Sequence, residues 1–290
     1  MKKFRFITYT ALVLAFLASS CSEKNPLDES NDFYLGISGL DKEARTAVDQ
    51  ELFDRFQKPF NIEILYHWDG SGTPYNSSNM PPKTELVIPT MNIVENTFIK
   101  PYIAAKDSVM IKKYAPRQFV LYGSPLINPQ SNVEIAGQAE GGLKIGMFDI
   151  NNIDFTNRAD LSWFMKTIHH EYVHILNQKV PFTDEFQLIT KSTYTGSFNV
   201  YTVDDALERG YISPYSMGNP MEDFAELTSY YLTMSKADFQ AMLDRGGWDG
   251  RRLLEAKLQI IEAYYRDNFA IDLHELQALC FSSIVKETSK

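Results

Sequence analysis

The segment DLSWFMKTIHHEYVHILNQ, residues 160–178, has only one good way to bury its apolar side chains. On a helix turning about 100° per residue, Leu161, Phe164, Met165, Ile168, Tyr172, Ile175 and Leu176 fall on one broad face. A core helix is therefore predicted. His170 and His174, four residues apart, share a second face, with Glu171 between the two. This is the HExxH spacing. Two imidazoles one turn apart can hold one zinc ion, and the glutamate then points at the remaining coordination position. The alternative is a solvated helix face that carries two histidines. His169 stands about 100° from His170 and cannot easily join the pair, so it is expected behind it or at the surface. His67 and His274 have no partner at ligand spacing and are expected as satisfied surface or core residues.

Two histidines do not hold a catalytic zinc, and a third protein ligand is needed. The extended motif HExxHxxGxxH is excluded, because Asn177 and Val180 occupy its last two places. A carboxylate from a later helix is the remaining route, and YSMGNPMEDFAELTSYYL supplies one. Asn219 suits an N-cap and Pro220 the first helical position, which sets Glu222 and Glu226 one turn apart. Asn219 and Glu222 also have capping-box spacing, so Glu222 has a competing use at its own helix end. Against that use, acids entering an apolar helix need a partner, and Glu222 is favoured as the third ligand. Asp223 or Glu226 would orient a ligand histidine from behind.

The first twenty residues are of another kind. MKKFRF is basic, ITYTALVLAFLASS is apolar and then small, and Cys21 follows at once. The run is short for a membrane span and has no stop-transfer flank. It resembles a bacterial lipoprotein signal, which implies lipidation of Cys21 and removal of residues 1–20. Residues 21–40 then read as a tether and 41–290 as the folded domain. Loss of Lys2, Lys3 and Arg5 would change the charge from −9 to 25 − 37 = −12, which argues against a nucleic-acid partner. Cys280 would be left without a disulfide partner, and its apolar setting predicts a buried core residue with no catalytic role.

The remaining pattern is α+β. A helix is predicted over 42–57 with Asp41 as its cap. Strands are predicted over 60–68 and 117–124, with a loop at 69–83 and a helix over 90–113 interrupted at Pro101. A hairpin is predicted about Gly141–Gly142. After a loop-rich passage, helices are predicted over 220–235, 236–245, 249–268 and 272–285. The expectation is a small mixed sheet, the HExxH helix, and a mostly helical C-terminal part.

HExxH followed by a helix that opens EDFAE resembles the zincin peptidases of the gluzincin type. The pattern is similar to that of anthrax lethal factor and its relatives, in which a tyrosine seven residues before the ligand glutamate faces the zinc. Tyr215 occupies that place here. Together with the signal, the chain resembles a Bacteroidetes lipoprotein family of zinc metallohydrolases associated with outer-membrane import systems. The resemblance implies a zincin-like fold and a lipid-anchored protein of the outer membrane, surface exposure included. It also implies an import complex as partner and a peptide or protein substrate.

The reading is a zinc metallopeptidase in which His170, His174 and Glu222 hold Zn²⁺ and Glu171 handles the proton. Tyr215 would support the oxyanion. A strand of the 133–150 hairpin would receive an extended substrate, by analogy with zincins. The rival is a non-catalytic surface lipoprotein with a structural zinc that assists substrate capture. Hydrolysis of another amide or ester would use the same site.

Overall fold

Helix α1 opens at Thr46, whose side chain accepts from the Asp49 N–H while Asp49 bonds back to the Thr46 N–H. This complete capping box starts the helix at Ala47, so Thr46 is its cap. The helix runs through Ala47–Leu52, Phe53–Gln57 and Lys58–Phe60 and stops at Asn61, where φ is 56°. The structure is a computed structural model that describes residues 45–67, 79–127, 134–135, 137–140 and 143–290. The expected signal over 1–20, Cys21, the expected tether over 21–40, Asp41 and Gly141–Gly142 lie outside the described residues. The described residues all belong to the compact unit Asp41–Lys290.

Helix α2 runs through Thr84–Val94, Glu95–Ile99 and Lys100–Ala105. Pro101 does not break it. Pro59 in α1 and Pro101 in α2 each follow a wide π-type turn, Phe53–Gln57 and Glu95–Ile99. A proline lacks the N–H that would bond back along the helix, and its ring crowds the carbonyl there; a widened turn absorbs both. The break comes instead at Lys106. Asp107 then caps α3 (Ser108–Tyr114), accepting from Val109 and Met110 N–H groups.

Strands β1 (Glu63–Leu65), β2 (Gln118–Leu121), β5 (Gly137–Glu140) and β6 (Lys144–Met147) form a sheet in the order β1-β2-β6-β5. β1, β2 and β6 are parallel, whereas β5 is antiparallel to β6 at the sheet edge. β3 (Leu126–Ile127) and β4 (Glu134–Ile135) pair separately. The regular strands are shorter than the sequence runs suggest. The parallel pairs need crossovers, and α2 and α3 supply the one between β1 and β2.

Helix α4 (Arg158–Lys179) packs against β5 and β6. α5 (Asp184–Leu188) and α6 (Val203–Glu208) are short elements of the loop-rich passage. α7 (Pro220–Thr233) then lies along α4. α8 (Lys236–Arg245), α9 (Gly247–Phe269) and α10 (Leu273–Glu287) complete the helical part, with α9 and α10 both packed on α7. The predicted α+β architecture is thus present as a small mixed sheet and a mostly helical remainder. Among the described residues, no helix is long and apolar enough to cross a membrane.

The apolar face of α4 is buried as its sequence requires. Tyr172 meets Phe98 and Tyr102 of α2 edge-on, at ring-centroid distances of 4.9 and 5.2 Å. On the other side, Phe224 of α7 stacks on Phe182 at 4.6 Å and is flanked by Phe186 and Tyr264. Cys280 is buried in the same core, where burial pushes its thiol pKa up. These contacts seat α4 on α2, and α7 on α5 and α9.

Candidate metal centre

Asn157 starts α4 by accepting from the Ala159 and Asp160 N–H groups. From that start, helix geometry carries His170 and His174 to one face. Their Nε2 atoms lie 3.0 Å apart, with rings nearly perpendicular at 84°. Asn219 starts α7 in the same manner, accepting from Met221 N–H at 2.9 Å and Glu222 N–H at 3.1 Å. The reciprocal half of a capping box is not made. Glu222 instead sends Oε2 across to α4, 3.0 Å from His170 Nε2 and 3.2 Å from His174 Nε2. The competing use of Glu222 at its own helix end is therefore not realised.

These three atoms form a triangle with edges of 3.0–3.2 Å. Tetrahedral ligands about 2.0–2.1 Å from a zinc ion stand roughly 3.3 Å from one another, so the cluster has nearly the required spacing. The proton inventory points the same way. His170 Nδ1 lies 3.0 Å from Glu226 Oε1, an ion-pair contact that favours its N–H on that side. Nε2 then presents a lone pair, facing another imidazole nitrogen and a carboxylate oxygen. Three electron-rich atoms so placed call for a cation. His170, His174 and Glu222 form the one such group of three among the described residues.

The same contacts favour a proton on His170. Burial opposes the charge on His170, but the bonds to Glu222 and Glu226 outweigh it and raise its pKa to about 9. Burial likewise opposes ionisation of Glu222, and the two histidines overcome it, holding the carboxyl well below its usual range.

Glu226 is the residue behind His170. It sits one turn beyond Glu222 and is almost fully buried. Oε1 takes the Lys166 Nζ at 2.7 Å as well as facing His170, and Oε2 accepts from Ser213 Oγ at 2.7 Å. Burial opposes its charge, yet His170 and Lys166 bring its pKa down to about 2. Asp223 does not share this role. One residue from Glu222, it is turned away from the histidines and accepts from Lys257 Nζ at 2.6 Å and Tyr194 hydroxyl at 2.8 Å. Both partners of the Lys257–Asp223 pair are fully buried. Lys257 also donates to the Gly210 carbonyl at 2.7 Å and lies 4.0 Å from the centre of the Tyr211 ring.

Tyr215 stands at the rim, in a tight turn before α7, and remains partly exposed. Its ring is 6.0 Å from that of His170 and meets Phe198 edge-on at 5.4 Å. Partial burial, then Glu222, Glu171 and Glu226, raise its pKa, so the hydroxyl stays protonated and able to donate. Glu171 is buried beside Gly137 of the edge strand: a Cβ there would lie 3.5 Å from Glu171 Cγ and only 2.4 Å from Thr167 Cγ2. Only glycine allows β5 to approach α4 this closely.

His169 is neither at the surface nor behind the metal pair. It is fully buried beside Phe98 and Tyr102, at centroid distances of 5.7 and 5.9 Å, and burial lowers its pKa to about 3. His67 is exposed with Asp49 3.5 Å away, while His274 bonds the Tyr231 hydroxyl near the surface. Lys166, Ser213 and Lys257 are the site-supporting residues that sequence reasoning missed. Lys166 alone left a signal, being four residues before His170 on the same helix.

An HExxH helix facing a second helix that brings a carboxylate to the same point is the arrangement of a His–His–Glu metal centre in an α+β protein. The chain belongs to the family described as "putative zinc-binding metallo-peptidase", whose profile matches residues 41–274. Among solved structures it is similar to one described as a "putative zinc-binding metallo-peptidase" from Bacteroides caccae ATCC 43185. The two are 23% identical with a TM-score of 0.73, over 87% of this chain and 96% of the other, and the likeness is one of fold. No curated protein matches the chain.

Proposed function

We propose that this protein is a zinc-dependent peptidase of zincin-like fold, with Zn²⁺ held by His170, His174 and Glu222. The observation that carries the reading is the convergence of three metal-ligating atoms within 3.2 Å while Glu226 faces His170 Nδ1. Zinc in such a site supplies Lewis acidity and the ionisation of water near neutral pH. Glu171 takes the proton of the attacking water and passes it to the leaving amine. Tyr215 donates its hydroxyl to the carbonyl oxygen as negative charge gathers there. The edge strand β5, antiparallel to β6 and close to Glu171, offers backbone groups to an extended peptide.

A structural zinc would not need an acid at this position. Glu171 beside the cluster favours catalysis over the binding-lipoprotein reading. We also propose that residues 1–20 are a lipoprotein signal and 21–40 a tether, with 41–290 the catalytic domain. Cys21 then anchors the protein to the outer membrane, in association with a nutrient-import complex. The order of basic, apolar and small residues before Cys21 supports the anchor, and family resemblance supports the import association.

The deciding experiment is digestion of a peptide library by zinc-loaded protein, with metal-stripped protein as control. Cleavage restored only by zinc is expected. No cleavage by the zinc-loaded protein, together with turnover of a simple ester or non-peptide amide, would move the reading to another hydrolase.

A further inference from the structure

Glu226 uses its two oxygens in different directions. Oε1 faces His170 Nδ1 at 3.0 Å, and Oε2 accepts from Ser213 Oγ at 2.7 Å. Ser213 is buried and belongs to the turn that displays Tyr215. Its Oγ accepts from the Ser216 N–H at 3.2 Å and lies 3.1 Å from Ser216 Oγ. Met217 N–H donates to Pro214 O and Gly218 N–H to Tyr215 O, both at 3.0 Å, which closes the turn. A single buried carboxylate therefore joins a metal-facing histidine to the backbone that holds the rim tyrosine.

We propose that Ser213 is a positioning residue that, through Glu226, couples metal occupancy at the His170–His174–Glu222 cluster to the ordering of the Tyr215 turn. The inference rests on the reading of that cluster as a zinc site. A cation held at Nε2 would draw electron density from the ring and strengthen the ion-pair contact of Nδ1 with Glu226. Glu226 is then held more firmly, and its second oxygen holds the Ser213 hydroxyl. The Ser216 N–H, bonded to that hydroxyl, carries the effect into the turn. Coupling of this kind is reciprocal: if metal orders the turn, an anchored turn favours metal.

The test measures amide hydrogen exchange over residues 213–218 in the full chain, with and without zinc. Zinc affinity is read separately by competition with a chromophoric chelator. In the wild-type protein, zinc should slow exchange in this segment. In Ser213→Ala, zinc affinity should fall by about tenfold, the lower end of what loss of a ligand-orienting contact costs. At saturating zinc, the slowing over 213–218 should then be lost, while exchange in α9 stays as in wild type. A purely structural role would speed exchange equally with and without metal, leaving the zinc-dependent difference intact; that result overturns the coupling. Wild-type protein that binds zinc but shows no change over 213–218 also overturns it, whether or not the variant folds. Failure of the wild-type protein to bind zinc in the chelator titration would instead remove the metal reading on which the coupling stands.

Discussion

Glu222 Oε2 and His170 Nε2 meet at 3.0 Å although they belong to different helices separated by the whole 180–219 passage. The contact replaces a bond that Glu222 could have made at its own N-terminus. Elsewhere in the chain the analogous bond is made: Thr202 and Asp205 complete a capping box at α6. Glu222→Ala should therefore leave α7 capped by Asn219 and weaken zinc binding by at least about a hundredfold, beyond the usual cost of an outer-shell change. Chelator competition measures the loss. Wild-type affinity in this variant would remove Glu222 from the ligand set.

Glu171→Gln should retain zinc and the fold. The side chain keeps its shape and only its proton-accepting capacity is lost. Turnover is expected to fall by roughly 10²–10⁴-fold, the contribution of a positioned general base. Metal analysis beside steady-state kinetics checks both halves, and unaltered turnover would refute the assigned role.

Tyr215→Phe should lower kcat by roughly tenfold to a thousandfold, the scale of one oxyanion donor, with little change in KM. The ring contact with Phe198 survives the substitution, so packing of the turn is preserved. Equal activity of the two proteins would reduce Tyr215 to a packing residue.

Lys257→Met should lower stability by about 3–5 kcal/mol, because Asp223 would be left in the core without its counter-ion. For a domain of this size that is roughly 6–20 °C in thermal midpoint. Lys257→Met combined with Asp223→Leu should recover much of the loss, since two apolar groups need no partner. Calorimetry on the single and double variants decides this. A double variant as unstable as the single would mean that the charge is not what Lys257 contributes.

Cys21→Ser should release the protein into the soluble fraction or leave its signal uncleaved. A lipidated cysteine supplies more than one acyl chain, enough for stable anchoring. Membrane fractionation of the processed variant checks it: continued sedimentation with membranes after signal removal would rule the anchor out.

How much of this was legible beforehand depended on the range of the interactions. His170 and His174 were readable because a four-residue spacing is enforced by the helix itself. Glu222 was readable because Asn219 and Pro220 fix where α7 begins. Once that start is known, Glu226 follows one turn later, and Asp223 is turned about 100° away, so the two were never equivalent. The need for a partner at Asp223 could be stated from its apolar setting, but Lys257 arrives from α9 and nothing local announces it. His169 was misplaced for a related reason: its surroundings come from α2, and a histidine beside two others reads as polar until Phe98 and Tyr102 are in view. Pro101 misled in the opposite direction, because a proline signals the local bond it removes and not the widened turn that compensates.

The dependence of α7 on Lys257 also sets an order in time. A chain made from its N-terminus completes the histidine helix first, the carboxylate helix later, and the lysine that neutralises Asp223 later still. Until α9 has emerged, α7 can dock on its neighbours only by burying Asp223 without its lysine, with the Tyr194 hydroxyl as its remaining side-chain donor. The centre thus has its full support only once α9 has packed on α7 and Lys257 has met Asp223.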